Sequence, residues 1–247
     1  MAHLITVLHG PLGETELHTF DSSGSGARFL IVGGQHGHEP GGQAGVEALI
    51  SHLEKNPPRI SVLLISKANP MALALGCRGA SDRSPLAFEH DLNRAWPPLV
   101  RLPPRKEGSS SESLRDPSSY TWEELATWPT VQHAALLWKE ILAWNPTHAL
   151  DLHETPDRKA QIPFAFAESE SDLVVAPKGL AVRICPSKRT LQRALAIQGV
   201  PSLAIEVRPG GRPVEARAME HRNMVLEVLD RFQPKSNFLD PATFPSE

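Results

Sequence analysis

The chain is poor in the features that would tie it to an oxidising compartment, a bilayer or a nucleic acid. Cysteine occurs twice, at Cys77 and Cys185. Two thiols with no secretory leader read as reduced cysteines, not as a disulfide framework. The opening residues, Met-Ala-His-Leu-Ile-Thr-Val, lack a basic stretch followed by a long apolar run and a cleavage site, so a soluble cytoplasmic protein is expected. No apolar run reaches the ~20 residues of a membrane helix. Basic and acidic side chains nearly cancel, 25 against 28 for a net charge of −3. That excludes the basic footprint of a nucleic-acid partner and a polybasic membrane patch. Tyrosine is present once, at Tyr120, outside every motif described below.

Proline and glycine are plentiful, with 23 and 17 copies spread along the chain, and there are 11 histidines. Many loops joining short elements follow from the first two counts. A length of 247 residues can bury a large core without staples; one catalytic domain over 1–235 with a tail at 236–247 is expected.

Hydrophobic patterning gives the order of elements. Short strands and turns occupy the first 27 residues. Compact apolar runs at 28–32 and 60–65, bounded by turn residues, predict buried strands. Between them, Val46, Leu49, Ile50 and Leu53 mark the apolar stripe of a helix over 43–56, closed by Pro57-Pro58. The chain from 67 to 120 reads as loop-rich, and 97–119 as a surface insertion. Further on come a helix over 130–144, a strand over 148–153, strands at 164–167 and 182–185, a helix over 187–198, a strand over 202–207 and a helix over 214–232. Alternating strands and helices predict an α/β fold: a mixed, largely parallel sheet with helices on both faces. In such sheets ligands gather beyond the carboxyl ends of the strands.

Four clusters carry chemistry. His36-Gly-His-Glu39 places an imidazole and a carboxylate three residues apart just after a strand, a donor pair suited to Zn²⁺. It also reads as a polar turn capping the next helix, or as a phosphate cradle, although it matches neither the dinucleotide nor the P-loop spacing. Asp151-Leu-His153-Glu154 ends another apolar strand. His153 is either a hydrogen-bonded histidine at a sheet edge or a third ligand, which with His36 and Glu39 would leave a catalytic fourth position open. Glu206 closes the strand Ser-Leu-Ala-Ile-Glu-Val; it is a salt-bridge partner of Arg208 or Arg212, or a general base. His90-Asp91-Leu-Asn93-Arg94 offers a guanidinium beside an amide, suited to gripping a substrate carboxylate, and an aspartate able to orient a ligand histidine.

In this order the clusters, together with Asn69-Pro70, resemble the zinc carboxypeptidase superfamily. They match its carboxypeptidases and its deacylase branch, aspartoacylase and succinylglutamate desuccinylase, equally well. The resemblance spans roughly residues 28–232. It implies a zinc carboxypeptidase-like fold, a Zn²⁺ cofactor held by His36, Glu39 and His153, and Glu206 as base and later proton donor to the leaving amine. Arg94 with Asn93 would bind the substrate carboxylate, and Asp91 would support a ligand from behind. Arg78, with Arg83 as the alternative, would polarise the scissile carbonyl. The implied partner is a small N-acyl amino acid or short peptide with a free carboxylate. A non-catalytic zinc or small-molecule binder on the same scaffold is the other reading. His38, between the two ligands of the first cluster, is an alternative donor. The stretch after Glu206 fits one closing helix and a tail, without the extra β domain of aspartoacylase-like enzymes, which leans the reading towards a minimal carboxypeptidase-like domain.

Overall fold

The computed structural model describes residues 2–22, 26–79, 91–97, 125–155, 163–186 and 190–234. Arg83, His90, Tyr120, the tail at 236–247 and all of the 97–119 insertion except Pro97 lie outside them.

Two antiparallel strands open the chain, β1 (Ala2–Gly10) and β2 (Gly13–Asp21). Then β3 (Arg28–Val32), helix α1 (Pro40–Lys55) and β4 (Ser61–Ile65) follow. A short helix α2 (Pro70–Leu75) and a 3₁₀ turn (Leu92–Arg94) come next, then α3 (Pro129–Trp144), β5 (His148–Glu154) and β6 (Phe164–Ala167). The remainder is a 3₁₀ turn (Glu170–Val175), β7 (Ala181–Ile184), α4 (Leu191–Ile197), β8 (Ser202–Val207) and α5 (Val214–Phe232).

The eight strands form one sheet in the order β1-β2-β4-β3-β5-β8-β6-β7. The central four, β4, β3, β5 and β8, are mutually parallel. Antiparallel pairings join β2 to β4 and β6 to β8. The mixed, largely parallel α/β sheet is the expected one.

Period-2 alternation along β3 divides the core in two. Leu30 and Val32 face a layer built from α3 and α4, through Leu137, Ile141, Leu191 and Leu195. Phe29 and Ile31 face α1 and α5, through Val46, Leu49, Val225 and Leu229. Helices therefore cover both faces, and each of these fully buried side chains contributes about 1.5–3 kcal/mol. Among the described residues no helix is long and apolar enough to cross a membrane.

Two helices start earlier than periodicity indicates, α1 at Pro40 and α3 at Pro129. Proline at the first turn is preset for the helix and needs no amide partner there; in α1 the weak helix formers Gly41 and Gly42 hide the start. The helix expected over 187–198 is described only from Leu191, where Thr190 caps it by accepting from the Arg193 amide.

Helix α5 lies tightly on α1. A Cβ at Gly45 would stand 2.7 Å from the Cβ of His221, so a larger residue there would push the helices apart. His221 is fully buried in this seam, and burial first, then the neighbouring His153, lowers its pKa to about 3. The folded chain thus keeps His221 neutral, whereas the unfolded chain protonates it below about pH 6.5. Stability from this residue is complete above that value and is lost as pH falls towards 3, by about 1.4 kcal/mol per unit. His221→Leu is expected to gain about 2–3 kcal/mol relative to wild type between pH 7 and pH 4.5, read from denaturant unfolding at the two pH values. An unchanged difference would show that His221 does not set the acid limit.

Candidate metal centre and its cavity

The chain leaves β3 for β4 on one side and reaches β5 on the other, so a crevice opens beyond the carboxyl ends of these strands. His36 and Glu39 lie in the turn between β3 and α1. Gly34 there has φ +68° and sits against the Ser66 carbonyl, a conformation and a closeness that favour glycine. The turn is laced to the end of β4 and the chain beyond it: the Gly33 amide donates to the Ile65 carbonyl at 2.8 Å and the Gly37 amide to that of Cys77 at 2.7 Å. Amides so engaged, next to a buried carboxylate, do not make a phosphate cradle.

Glu39 occupies the position just before α1, yet its side chain makes no capping hydrogen bond. Its carboxylate instead spans two imidazoles. Oε1 is 2.9 Å from His36 Nδ1, and Oε2 is 2.8 Å from His153 Nδ1. One donor atom from each of these three buried side chains lies within 4.8 Å of the others. The Glu39 side chain thus does not cap α1, and His153 stands on a central strand of the sheet. His38 is more exposed, its side chain 38 % accessible and its Nε2 3.5 Å from Glu39.

Each histidine turns its other ring nitrogen to an aspartate: His36 Nε2 to Asp91 at 3.0 Å and His153 Nε2 to Asp151 at 2.8 Å. Such carboxylate–imidazole pairs fix which nitrogen is left to face a cation. Asp151 Oδ2 is itself held by Gln35 and Gln192, each donating at 2.7 Å, and Gln35 accepts from Trp96 at 3.2 Å. The Glu154 amide donates to Glu39 at 3.2 Å, while the Glu154 carboxylate takes the Gly41 amide at 3.0 Å and a hydrogen bond from Arg217. Glu39 is therefore held from β5 by the Glu154 amide, and the Glu154 side chain is in turn tied to α1 and α5. Reading by motif left Asp151, Gln35, Gln192 and Arg217 without roles. Asp151 was within reach of it, being two residues before His153 on one face of a strand.

Burial by itself would raise the pKa of Glu39, but His153 and His36 beside it hold it far below the usual carboxylate range. Asp91 is likewise held down, against burial, by His36, Arg78 and Arg94. Burial opposes protonation of the two histidines, and their carboxylate neighbours outweigh it, raising both. The donor set, two imidazoles and a carboxylate backed by Asp91 and Asp151, fits a divalent cation such as Zn²⁺.

His153 and Glu206 are register partners on adjacent strands. Among the described residues no basic side chain pairs with Glu206. Arg212 bonds Glu220 at 2.6 Å instead. Burial lifts the Glu206 pKa above the ordinary glutamate value; His153 opposes this and Glu39 reinforces it.

A cavity of about 280 Å³ is lined by His36, Glu39 and His153 together with Glu206, Arg78, Asn93 and Arg94. Phe166, Ala204, Thr190 and Cys185 also line it. Arg78 stands at the rim with its side chain 49 % exposed, and its Nε donates to Asp91 at 3.0 Å. Asn93 takes the Leu191 amide on its oxygen at 2.8 Å, and its nitrogen lies 3.4 Å from His153 Nε2. Arg94 Nη1 donates to the Asn93 carbonyl at 3.1 Å. His36, Glu39, His153, Glu206, Arg78, Asn93 and Arg94 thus line one cavity, while Asp91 and His38 are not part of its lining.

Solved structures share this architecture. A succinylglutamate desuccinylase/aspartoacylase from Rhodobacter sphaeroides aligns with a TM-score of 0.65 at 18% identity, over 93% of this chain and 65% of that one. A metallo-carboxypeptidase from Burkholderia cenocepacia gives 0.62 and 16%, over 92% and 64%. A succinylglutamate desuccinylase from Silicibacter sp. TM1040 gives 0.60 and 18%, over 89% and 60%. The chain thus spans about 60–65% of the length of these proteins. No curated protein sequence matches it. The mixed, largely parallel sheet is accordingly the α/β fold of these carboxypeptidase-like and desuccinylase-like structures. Within that fold, residues 25–232 match the succinylglutamate desuccinylase/aspartoacylase catalytic domain, and the chain belongs to that family.

Proposed function

We propose that the protein is a zinc-dependent amide hydrolase that removes the acyl group from N-acyl amino acids carrying a free carboxylate. The observation that carries this reading is the buried His36–Glu39–His153 donor set sharing one cavity with the carboxylate of Glu206. Peptide cleavage of the carboxypeptidase kind would use the same parts; the family match favours deacylation.

His36, Glu39 and His153 would hold the metal. When bound, zinc supplies a Lewis acid that acidifies water and polarises the carbonyl. Glu206 takes the proton of the attacking water and later passes it to the leaving amine, a task suited to a carboxylate whose pKa burial has raised. Arg78 donates to the oxygen of the carbonyl as it gains charge. Asp91 and Asp151 keep the two imidazoles in the ligating tautomer. Asn93 and Arg94 take the substrate's free carboxylate.

Metal analysis of the purified chain, paired with a hydrolysis screen of N-acyl amino acids and short peptides with and without chelator, tests the whole reading. About one zinc per chain and chelator-sensitive release of amino acid are expected. Bound zinc with no turnover across the screen would leave a binding protein instead. Arg94→Ala is expected to raise KM for free-carboxylate substrates about 10–100-fold, the worth of a charge-assisted hydrogen bond, with kcat little changed. Substrates whose carboxylate is masked as an amide should lose nothing. Equal loss on both kinds would remove Arg94 from that role.

A further inference from the structure

The two edges of the sheet differ. β7 is four residues long and carries Arg183, a short and charged edge of the kind that resists further pairing. β1 has nine residues, Ala-His-Leu-Ile-Thr-Val-Leu-His-Gly, with no lysine, arginine, acid or proline. It is the terminal strand on its side, and among the described residues only β2 pairs with it. Leu4, Ile5 and Val7 are 59, 54 and 42 % exposed. A long apolar edge that no other described strand covers is a template for another strand.

The strand also indicates which partner fits. Read backwards from Gly10, it runs Gly-His-Leu-Val-Thr-Ile-Leu-His-Ala, nearly the forward sequence. Two antiparallel copies centred on Thr6 would set His3 against His9, Leu4 against Leu8, Ile5 against Val7, and Thr6 against itself. Each pair joins residues of one parity, so its members share a face of the sheet, as antiparallel partners must. A two-fold interface requires this self-complementarity, because the same patch serves both copies. Aliphatic pairs directly opposite one another are the units that stabilise sheets. We infer that β1 is the interface of a homodimer in which the sheets of two copies join antiparallel through Thr6. A single strand pair is small beside the ~1,600 Å² of a standard interface, so the dimer is reversible.

Two measurements on the full chain test this. Sedimentation from micromolar to submillimolar protein should show a monomer–dimer equilibrium, and Ile5→Lys, which sets a charge on the edge of each copy, should raise the dissociation constant about tenfold or more. Circular dichroism of Ile5→Lys separates lost association from lost folding. Facing residues of an antiparallel pair have Cα atoms about 4.5–5.5 Å apart, within disulfide range. In a Cys185→Ser background, Thr6→Cys should therefore crosslink to a covalent dimer on mild oxidation. Val7→Cys should not, because it meets Ile5 while its own copy lies out of reach. A monomer at every concentration, or a dimer indifferent to Ile5→Lys, overturns the interface. Failure of Thr6→Cys to crosslink, or equal crosslinking of Val7→Cys, overturns the register.

Discussion

Glu206→Gln is expected to lower turnover of an N-acyl amino acid by about 10²–10⁴-fold, the usual worth of a positioned general base, while zinc content stays at the wild-type level. The amide keeps the size and most of the polarity of the carboxylate but cannot accept a proton. Glu206 is not one of the three clustered donor side chains, so metal retention separates its role from theirs. A merely structural Glu206 would predict the opposite pattern. Removing a partly buried acid from β8 that has no lysine or arginine partner among the described residues relieves desolvation, so stability should hold or rise as activity disappears. The wild-type acid limb gives a second readout: with the Glu206 pKa raised by burial, kcat/KM should begin to fall above the pH expected of an exposed glutamate, as the base becomes protonated. Full activity in Glu206→Gln would remove this residue from the chemistry and leave the proposed reaction without a base.

The parts of the molecule that were legible in the sequence are those set by local rules. The apolar runs of β3 and β8 and the long stripe of α5 fall where patterning puts them, because each is fixed by burial of its own side chains. Helix α2 went unread inside a stretch that looks like loop. It is only six residues long, too short to show a helical period, and it is held by the Asn69 side chain accepting from the Ala72 amide and by Gly76 in the left-handed region. The 3₁₀ turn over Glu170–Val175 was missed for the same reason, with Ser169 and Asp172 capping it. His36, Glu39, His153 and Glu206 were legible as motifs at strand ends, where the sheet gathers them. The Gln35–Asp151–Gln192 network and the Glu154–Arg217 pair were not, since they join residues 41 to 116 positions apart and no periodicity encodes such pairs.

Arg78→Ala is expected to lower kcat about 10²–10³-fold, the cost of removing one oxyanion donor, with KM within a few-fold of wild type. The assignment rests on how the guanidinium is held. Asp91 takes its Nε at 3.0 Å, and Nη1 remains 3.8 Å from Glu39, beside the candidate metal cluster at the cavity rim. A donor aimed where charge develops stabilises the transition state more than the bound substrate, which places its loss in kcat. Arg78→Lys should recover little, because a single ammonium cannot keep Asp91 and reach the carbonyl oxygen together. Asp91→Asn provides the contrast. That aspartate touches both Arg78 and His36, so its replacement should weaken zinc retention about 10–100-fold as well as kcat, whereas Arg78→Ala should leave zinc in place. Were Arg78→Ala instead to raise KM with kcat intact, Arg78 would be a substrate-binding group, and the oxyanion donor would have to be sought elsewhere, first at Arg83.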